Sequence, residues 1–343
     1  MIDRKSNLRE LLKRKKLDII LVYSSSYDGA FNLALNQFTP ALFNYYYITL
    51  NEEGLLEIDY LMEETKSKFH GKILPLRESS ISEDITAFLK KYNNVGVIGN
   101  APFWHLQKVD KKIEDLNDDA KKILIEKTPK EIEEIKKAAN LISKHLDLLK
   151  PHISPGKTQE EIIAFLRKSL TDYIGGFSFL PSLTSGEDIK NTTVSMPSNK
   201  KILDKDIIII DAGVILRGFS SDCTRMYFIN YPEAEENYLK LIQAHKEVIS
   251  SLKPGIYLKE ISEMYKKELQ KVGLPAETLE IKDLGHSIGF KVHEEPIFYL
   301  PQQKDEKLVK NMIITLEPEI KLKDYKLRVE DMILITDRAE LLT

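Results

Sequence analysis

The chain has 343 residues, 42% of them hydrophobic and 30% charged, with a formal net charge of −3 at pH 7. That length suits two domains with ample apolar side chains for two cores, and the near-neutral balance argues against nucleic acid or an anionic membrane as a partner. A single cysteine, Cys223, excludes an intramolecular disulfide framework; with a charged start and no apolar run of spanning length, the expected location is the cytoplasm.

Residues 1–126 read as alternating helix and strand. Ser6 to Lys16 is an amphipathic helix with Ser6 as its expected cap, and Leu17 to Tyr23 follows as a buried strand. Phe43 to Leu50 is aromatic and β-prone, Asn51 to Gly54 makes a turn, and Leu55 to Tyr60 is the next strand. Ser82 to Tyr92 is helical and Val95 to Gly99 is a short strand. This alternation predicts an open α/β domain.

The pattern changes at Thr128, which can cap a helix with Pro129 in its first turn and Glu131 at the capping-box position. A charged amphipathic helix, Pro129 to Leu149, then opens a second domain, residues 127–343. Inside it, Pro155 to Ile162 echoes Pro254 to Ile261, 99 residues further on. Each copy follows one helix and opens another, which predicts an α+β domain built from two related halves.

Five residues of this domain form a candidate metal-ligand set: Asp211, Asp222, His286, Glu317 and Glu330. Asp211 closes the apolar run Ile207 to Ile210, and Asp222 precedes the strand-like Thr224 to Ile229. A hairpin through Arg217 to Ser220 would bring these two carboxylates together. Glu317 ends the run Met312 to Leu316, which Pro318 stops. In Arg328-Val329-Glu330-Asp331, strand alternation places Arg328 and Glu330 on one face and Asp331 on the other. Buried carboxylates are costly without a compensating cation, and two divalent ions would neutralise four of them. Oxygen donors with one imidazole suit Mn²⁺, Co²⁺ or Fe²⁺, with Zn²⁺ also acceptable. Taken singly, each residue reads as an ordinary turn, cap or ion-pair residue; the ordered set carries the inference.

In that order, Asp211-Ala212-Gly213, Asp222-Cys223-Thr224-Arg225, Gly285-His286 through Gly289, Glu317-Pro318 and Arg328 to Asp331 resemble the pita-bread metallopeptidases. That family includes methionine aminopeptidase, aminopeptidase P and prolidase. The likeness covers the whole second domain, and the preceding α/β domain resembles the one in prolidase, aminopeptidase P and creatinase, which favours the proline-directed branch. The resemblance implies that Asp211 holds one ion, that Asp222 and Glu330 bridge both, and that His286 and Glu317 complete the second. A water activated by the two ions would attack the scissile carbonyl, and Glu317 would carry its proton to the leaving amine. His293 would hydrogen-bond the substrate, and Arg328 would brace a ligand carboxylate. The implied substrate is a short peptide with proline in second position, cut by a Xaa-Pro dipeptidase or aminopeptidase; the implied assembly is a homodimer.

Two positions depart from the family pattern. Val194 stands where a substrate-binding histidine is usual, and Glu319 follows Pro318 where glycine is usual. Asn191, Thr192, Thr193 or Ser195 could supply a substitute donor. The alternative class is a non-catalytic or weakly active metal-binding protein on the same scaffold; a metal-free creatinase-like hydrolase would have no use for the full ligand set. His70, His105, His145, His152 and His245 show no partners at ligand spacing. Alternation turns Cys223 away from the metal face, as a buried structural thiol.

Overall fold

Leu8, Leu11 and Leu12 recur at helical spacing and bury one face of the first helix, Arg4–Lys15. Its cap is Asp3 rather than Ser6, because the Asp3 carboxylate accepts both the Ser6 N–H (3.0 Å) and the Ser6 hydroxyl (2.6 Å). The computed structural model describes residues 3–25, 30–38, 40, 42–173, 175–280, 284–298 and 306–343. It divides into two compact units, Met1–Leu124 and Ile125–Thr343.

The first unit is built on a six-stranded mixed sheet: β1 (Ile19–Ser25), β2 (Phe43–Ile48), β3 (Glu53–Ile58), β4 (Lys72–Leu76), β5 (Val95–Ile98) and β6 (Ile113–Asp115). The strand order is β4-β3-β2-β1-β5-β6. β1 runs parallel to β5 and antiparallel to β2. The β2–β3 pairing extends to Ile48 opposite Glu53, so β3 begins before the expected Leu55. Ile19, Leu21, Tyr45, Tyr47, Ile85 and Leu89 pack one face of this sheet. His105, for which the sequence shows no partner at ligand spacing, is fully buried with its Nδ1 2.8 Å from the Tyr45 hydroxyl.

The second unit opens with the helix Pro129–Asp147, and Thr128 forms the expected capping box with Glu131. The sequence echo is a structural repeat. Gly156 and Gly255 both have positive φ, +92° and +96°. The Gly156 N–H donates to Ile202 O (2.9 Å) and Ile202 returns the bond to Lys157 O (2.8 Å); Gly255 and Leu308 do the same, with Ile256 O as the second acceptor (2.8 and 2.9 Å). The helices Gln159–Leu170 and Ile261–Lys271 follow the two turns.

Each half then contributes two sheets. The first half supplies β7 (Gly176–Phe177), β8 (Ser182–Ser185), β9 (Ile207–Ala212), β10 (Val214–Leu216), β11 (Phe219–Ser220) and β12 (Cys223–Phe228). The second supplies β13 (Leu279–Glu280), β14 (His286–Ser287), β15 (Glu294–Ile297), β16 (Met312–Leu316), β17 (Glu319–Lys321), β18 (Lys326–Arg328), β19 (Asp331–Ile335) and β20 (Ala339–Leu341). β12-β9-β8 form one antiparallel sheet and β15-β14-β16-β19-β20 another, and an isolated bridge between Thr224 and Glu330 joins them. That seam is where the ligand set converges. Among the described residues, no helix is long and apolar enough to cross a membrane.

Candidate metal centre

The β9–β12 register puts Asp211 opposite Thr224, one residue from the turn that leads through β10 and β11 to Asp222. The Arg217-Gly218 turn between β10 and β11 has positive φ at both residues, the geometry that suits a two-residue hairpin. Gly213 is required here, because a Cβ at that position would lie 1.9 Å from Ser221 O. In the second half, Glu317 follows β16 and Glu330 precedes β19, and Leu316 pairs with Asp331. Gly285 has φ +138°, and a Cβ there would lie 2.1 Å from Thr315 O. This close approach seats His286, whose N–H donates to Thr315 Oγ1 (3.1 Å).

Asp211, Asp222, His286, Glu317 and Glu330 all come together, and all are buried. Their donor atoms fall into overlapping groups within 4.8 Å: Asp211, Asp222 and Glu330 in one, His286, Glu317 and Glu330 in another, and Asp222, His286 and His293 in a third. The His286 ring places Nδ1 3.1 Å from Ser287 O, which orients Nε2 toward Asp222 Oδ2 (3.6 Å) and Glu317 Oε1 (3.9 Å). Thr224 Oγ1 donates to Glu330 Oε2 at 2.7 Å. His293 is exposed, with its ring centroid 4.5 Å from that of His286.

Arg328 is the cation inside this cluster. Its guanidinium contacts Glu317 and lies 3.6 Å from both Asp211 Oδ2 and Glu330 Oε2. One guanidinium does not balance four carboxylates. Asp211 Oδ1, Asp222 Oδ1 and Glu330 Oε1 are buried without a hydrogen-bond donor from the protein, an expensive arrangement unless a cation takes them. Burial, and then the charges of Asp211 and Glu317, push the Asp222 carboxyl well up. Burial, and then the charges of Asp222, Glu317 and Asp211, do the same to Glu330. Burial also raises Asp211, against the opposing pull of Arg328. This acceptor set fits divalent cations held mainly by oxygen.

The sequence pattern of Metallopeptidase family M24 matches residues 133–337. The chain belongs to this family. A Xaa-Pro dipeptidase of Pyrococcus furiosus is 26% identical over 306 residues, covering 86% of this chain and 85% of that protein. An uncharacterized peptidase of Methanocaldococcus jannaschii is 27% identical over 288 residues, with coverage of 82% and 78%. Among solved structures, a prolidase of Pyrococcus horikoshii superposes with a TM-score of 0.87 at 24% identity, covering 99% of this chain and 97% of that one. An X-Pro aminopeptidase of Thermotoga maritima gives 0.86 at 22% identity, with the same coverage. The fold is therefore the pita-bread fold behind an amino-terminal α/β domain, and the protein is a metallopeptidase, a hydrolase that works with divalent metal ions.

A pocket of about 420 Å³ opens onto the ligand set in this M24 peptidase. Its charged and imidazole lining, the floor, is Asp211, Asp222, His286, His293, Glu317 and Arg328; its largely apolar lining, the wall, is Phe179, Leu180, Val194 and Met196, together with Ser182. Val194 is thus a pocket residue, as its alignment with the family histidine implied. The expected substitute donors are largely engaged. Thr192 Oγ1 donates to Val194 O (2.8 Å) and accepts the Val194 N–H (3.1 Å), Ser195 Oγ donates to Leu183 O (3.1 Å), and Thr193 Oγ1 donates to Glu319. Asn191 does not line the pocket.

Three supporting groups escaped the sequence reading. Lys127 is fully buried, with Nζ 2.6 Å from Glu294 Oε2. Glu294 Oε1 accepts the N–H groups of Phe290 (2.7 Å) and Lys291 (3.0 Å), which fixes the turn before His293. His245 is buried, with Nδ1 2.6 Å from the Tyr265 hydroxyl and Nε2 3.2 Å from Asp331 Oδ2. No local signal marked these groups: Lys127, for example, stands between Glu126 and Thr128 like an ordinary solvated lysine.

Proposed function

We propose that this chain removes the amino-terminal residue from short peptides with proline in second position, using two divalent cations. The observation that carries this reading is the overlap of the donor groups: Asp222, His286 and Glu330 each belong to two of them, and of these three Asp222 and Glu330 are the carboxylates, with two oxygens each to share. In this assignment Asp211 would hold one ion, His286 and Glu317 would hold the other, and Asp222 and Glu330 would serve both. Mn²⁺, Co²⁺ and Fe²⁺ suit the oxygen-rich set best, with Zn²⁺ tolerated. When bound, the cations supply the positive charge that activates water and polarises a carbonyl.

The chain's own residues do the rest. Glu317, aligned by Arg328, accepts a proton from water and delivers it to the leaving amine. His293 lines the pocket beside His286, positioned to hydrogen-bond the peptide; although the residue is exposed overall, partial burial of its ring, then His286 and Arg328, hold its pKa down. The dipeptidase and aminopeptidase named among the relatives support both substrate lengths. A homodimer in the cytoplasm is the expected state, and the one cysteine, Cys223, is buried in keeping with a reducing compartment.

A second reading, a non-catalytic or weakly active metal-binding protein on the same scaffold, draws support from Val194 standing in the pocket where a histidine is usual. The deciding experiment is a metal-reconstituted activity panel of Xaa-Pro dipeptides, Xaa-Pro-Yaa tripeptides and Met-Xaa peptides. Turnover of the first or second class supports the proposal. Preference for Met-Xaa peptides, or no turnover of any with metal bound, overturns it.

A further inference from the structure

We infer that Thr193, Glu319 and Lys326 form a tie that fixes the pocket wall at Val194, and that this tie sets substrate affinity for peptides with an apolar group seated there. The inference rests on the peptidase reading above and adds residues outside the ligand set.

The segment around Val194 has no regular secondary structure, so side-chain bonds decide where its side chains point. One edge is pinned to β8: the Leu183 N–H donates to Ser195 O (3.0 Å), and Ser195 Oγ meets Thr184 Oγ1 at 2.9 Å. The other edge is held by Thr193. Its buried hydroxyl donates to Glu319 Oε2, 126 residues away, while Lys326 Nζ holds the second oxygen, Oε1, at 2.6 Å. Glu319 and Lys326 are largely enclosed, with side-chain exposures of 16% and 13%. A charge pair so placed is seldom a stabilising device in itself and is better suited to fixing one arrangement.

The anchor is not arbitrary. Glu319 lies opposite Arg328 in the β17–β18 pairing, so the wall is tied to the same hairpin that carries the cation of the metal centre. Val194 between the two pins and Met196 just past the second both line the pocket, 48% and 57% exposed, with Leu180 at 66%. Large apolar side chains left this open around a charged floor mark a surface that a ligand covers. The Val194 backbone is closed off by Thr192, as described above. What the wall offers a peptide is therefore apolar contact at a fixed distance from the carboxylates.

Thr193→Val tests this directly, because it removes the hydroxyl while keeping shape and leaving the Glu319–Lys326 pair intact. With Mn²⁺-loaded protein and Leu-Pro, Met-Pro, Ser-Pro and Glu-Pro as substrates, KM for the preferred peptides should rise roughly fivefold to tenfold, the loss of about one hydrogen bond's worth of positioning. Turnover number and metal content should stay at wild-type levels, and Thr193→Ser should restore KM. An unchanged KM in Thr193→Val overturns the inference. So does a parallel loss of turnover and metal, which would make the tie a support for the metal centre, or a failure of Thr193→Ser to restore KM. Calorimetric binding of Leu-Pro to the same proteins keeps the two readings apart. If wild type turns over none of these peptides, the peptidase reading falls; the tie stands if Thr193→Val still weakens binding, and falls if it does not.

Discussion

Glu330 and Asp331 are neighbours in sequence that face opposite sides of the second unit. Behind the sheet, Asp331 accepts from the Thr343 hydroxyl (2.9 Å), lies 2.8 Å from the Arg225 guanidinium and 3.2 Å from His245 Nε2. His245 is held in turn by the Tyr265 hydroxyl at 2.6 Å. Burial by itself would raise the Asp331 pKa, but the His245 hydrogen bond and the Arg225 charge outweigh it, and the net direction is down. In front, Glu330 keeps one oxygen unpartnered, and burial with three neighbouring carboxylates drives its pKa up. The back network closes on its own charges. The front one closes only with cations, which separates the groups that hold the fold from those that hold the chemistry.

Substitutions on the front face should break that comparison most severely. Asp222→Asn or Glu330→Gln should abolish peptidase activity and lower metal content per chain, measured by elemental analysis, with the fold retained. On the back face, Asp331→Asn strands Arg225 and should cost about 3–5 kcal/mol of stability in a denaturant titration, while the folded fraction still loads metal. His245→Ala belongs to the same class and should likewise keep its metal. Full metal occupancy in both front-face variants would defeat the ligand assignment.

Glu317→Gln comes next. It keeps the size of the side chain and its contact with Arg328 but removes the proton acceptor, so turnover should drop by about 10²–10⁴. Metal content measured on the same sample separates proton transfer from ligand loss. Near-normal turnover would assign the proton to another group.

The pH response sharpens the contrast. Asp211, Asp222 and Glu330 have folded-state pKa values raised above the ordinary carboxylate range. In metal-free protein the folded state therefore holds protons that the unfolded chain has released, and these groups cost stability increasingly as pH rises above about 4. Cations displace those protons. The rise in Tm on adding Mn²⁺ should accordingly grow between about pH 5 and pH 8; a gain independent of pH would mean the three acids are already ionised without metal.

What could be read from sequence was what lies close along the chain. The Thr128 cap, the strand runs ending at Asp211 and Glu317, and the two faces of Arg328 to Asp331 all follow from local periodicity. The paired turns at Gly156 and Gly255 were visible for the same reason. The missed contacts join distant segments: His245 to Asp331 across 86 residues, Thr193 to Glu319 across 126 and Lys127 to Glu294 across 167. Nothing in a lysine or glutamate by itself tells which distant charge will meet it in the core. The shift of the first cap from Ser6 to Asp3 is a smaller case: the Asp3 carboxylate takes the Ser6 N–H and hydroxyl, so the helix starts one turn earlier.

The smallest expected effect concerns Val194, where the floor and the wall of the pocket meet in function. A hydrogen-bond donor aimed at a carbonyl oxygen gains strength as charge develops there, and removing one from a preorganised site costs on the order of 10²–10³ in rate. The hydroxyls of Thr192, Thr193 and Ser195 are committed to Val194, Glu319 and Leu183, so none of them replaces such a donor without breaking an existing bond. Val194→His adds one at an exposed position that the two pins already hold in the pocket. Without neighbours selected to orient the new ring, the gain should be only about tenfold in turnover on Xaa-Pro peptides, with metal content unchanged. A variant that is slower than a fast wild type would mean that the wall works through apolar contact alone and that the donor comes from the floor, where His293 becomes the residue to replace.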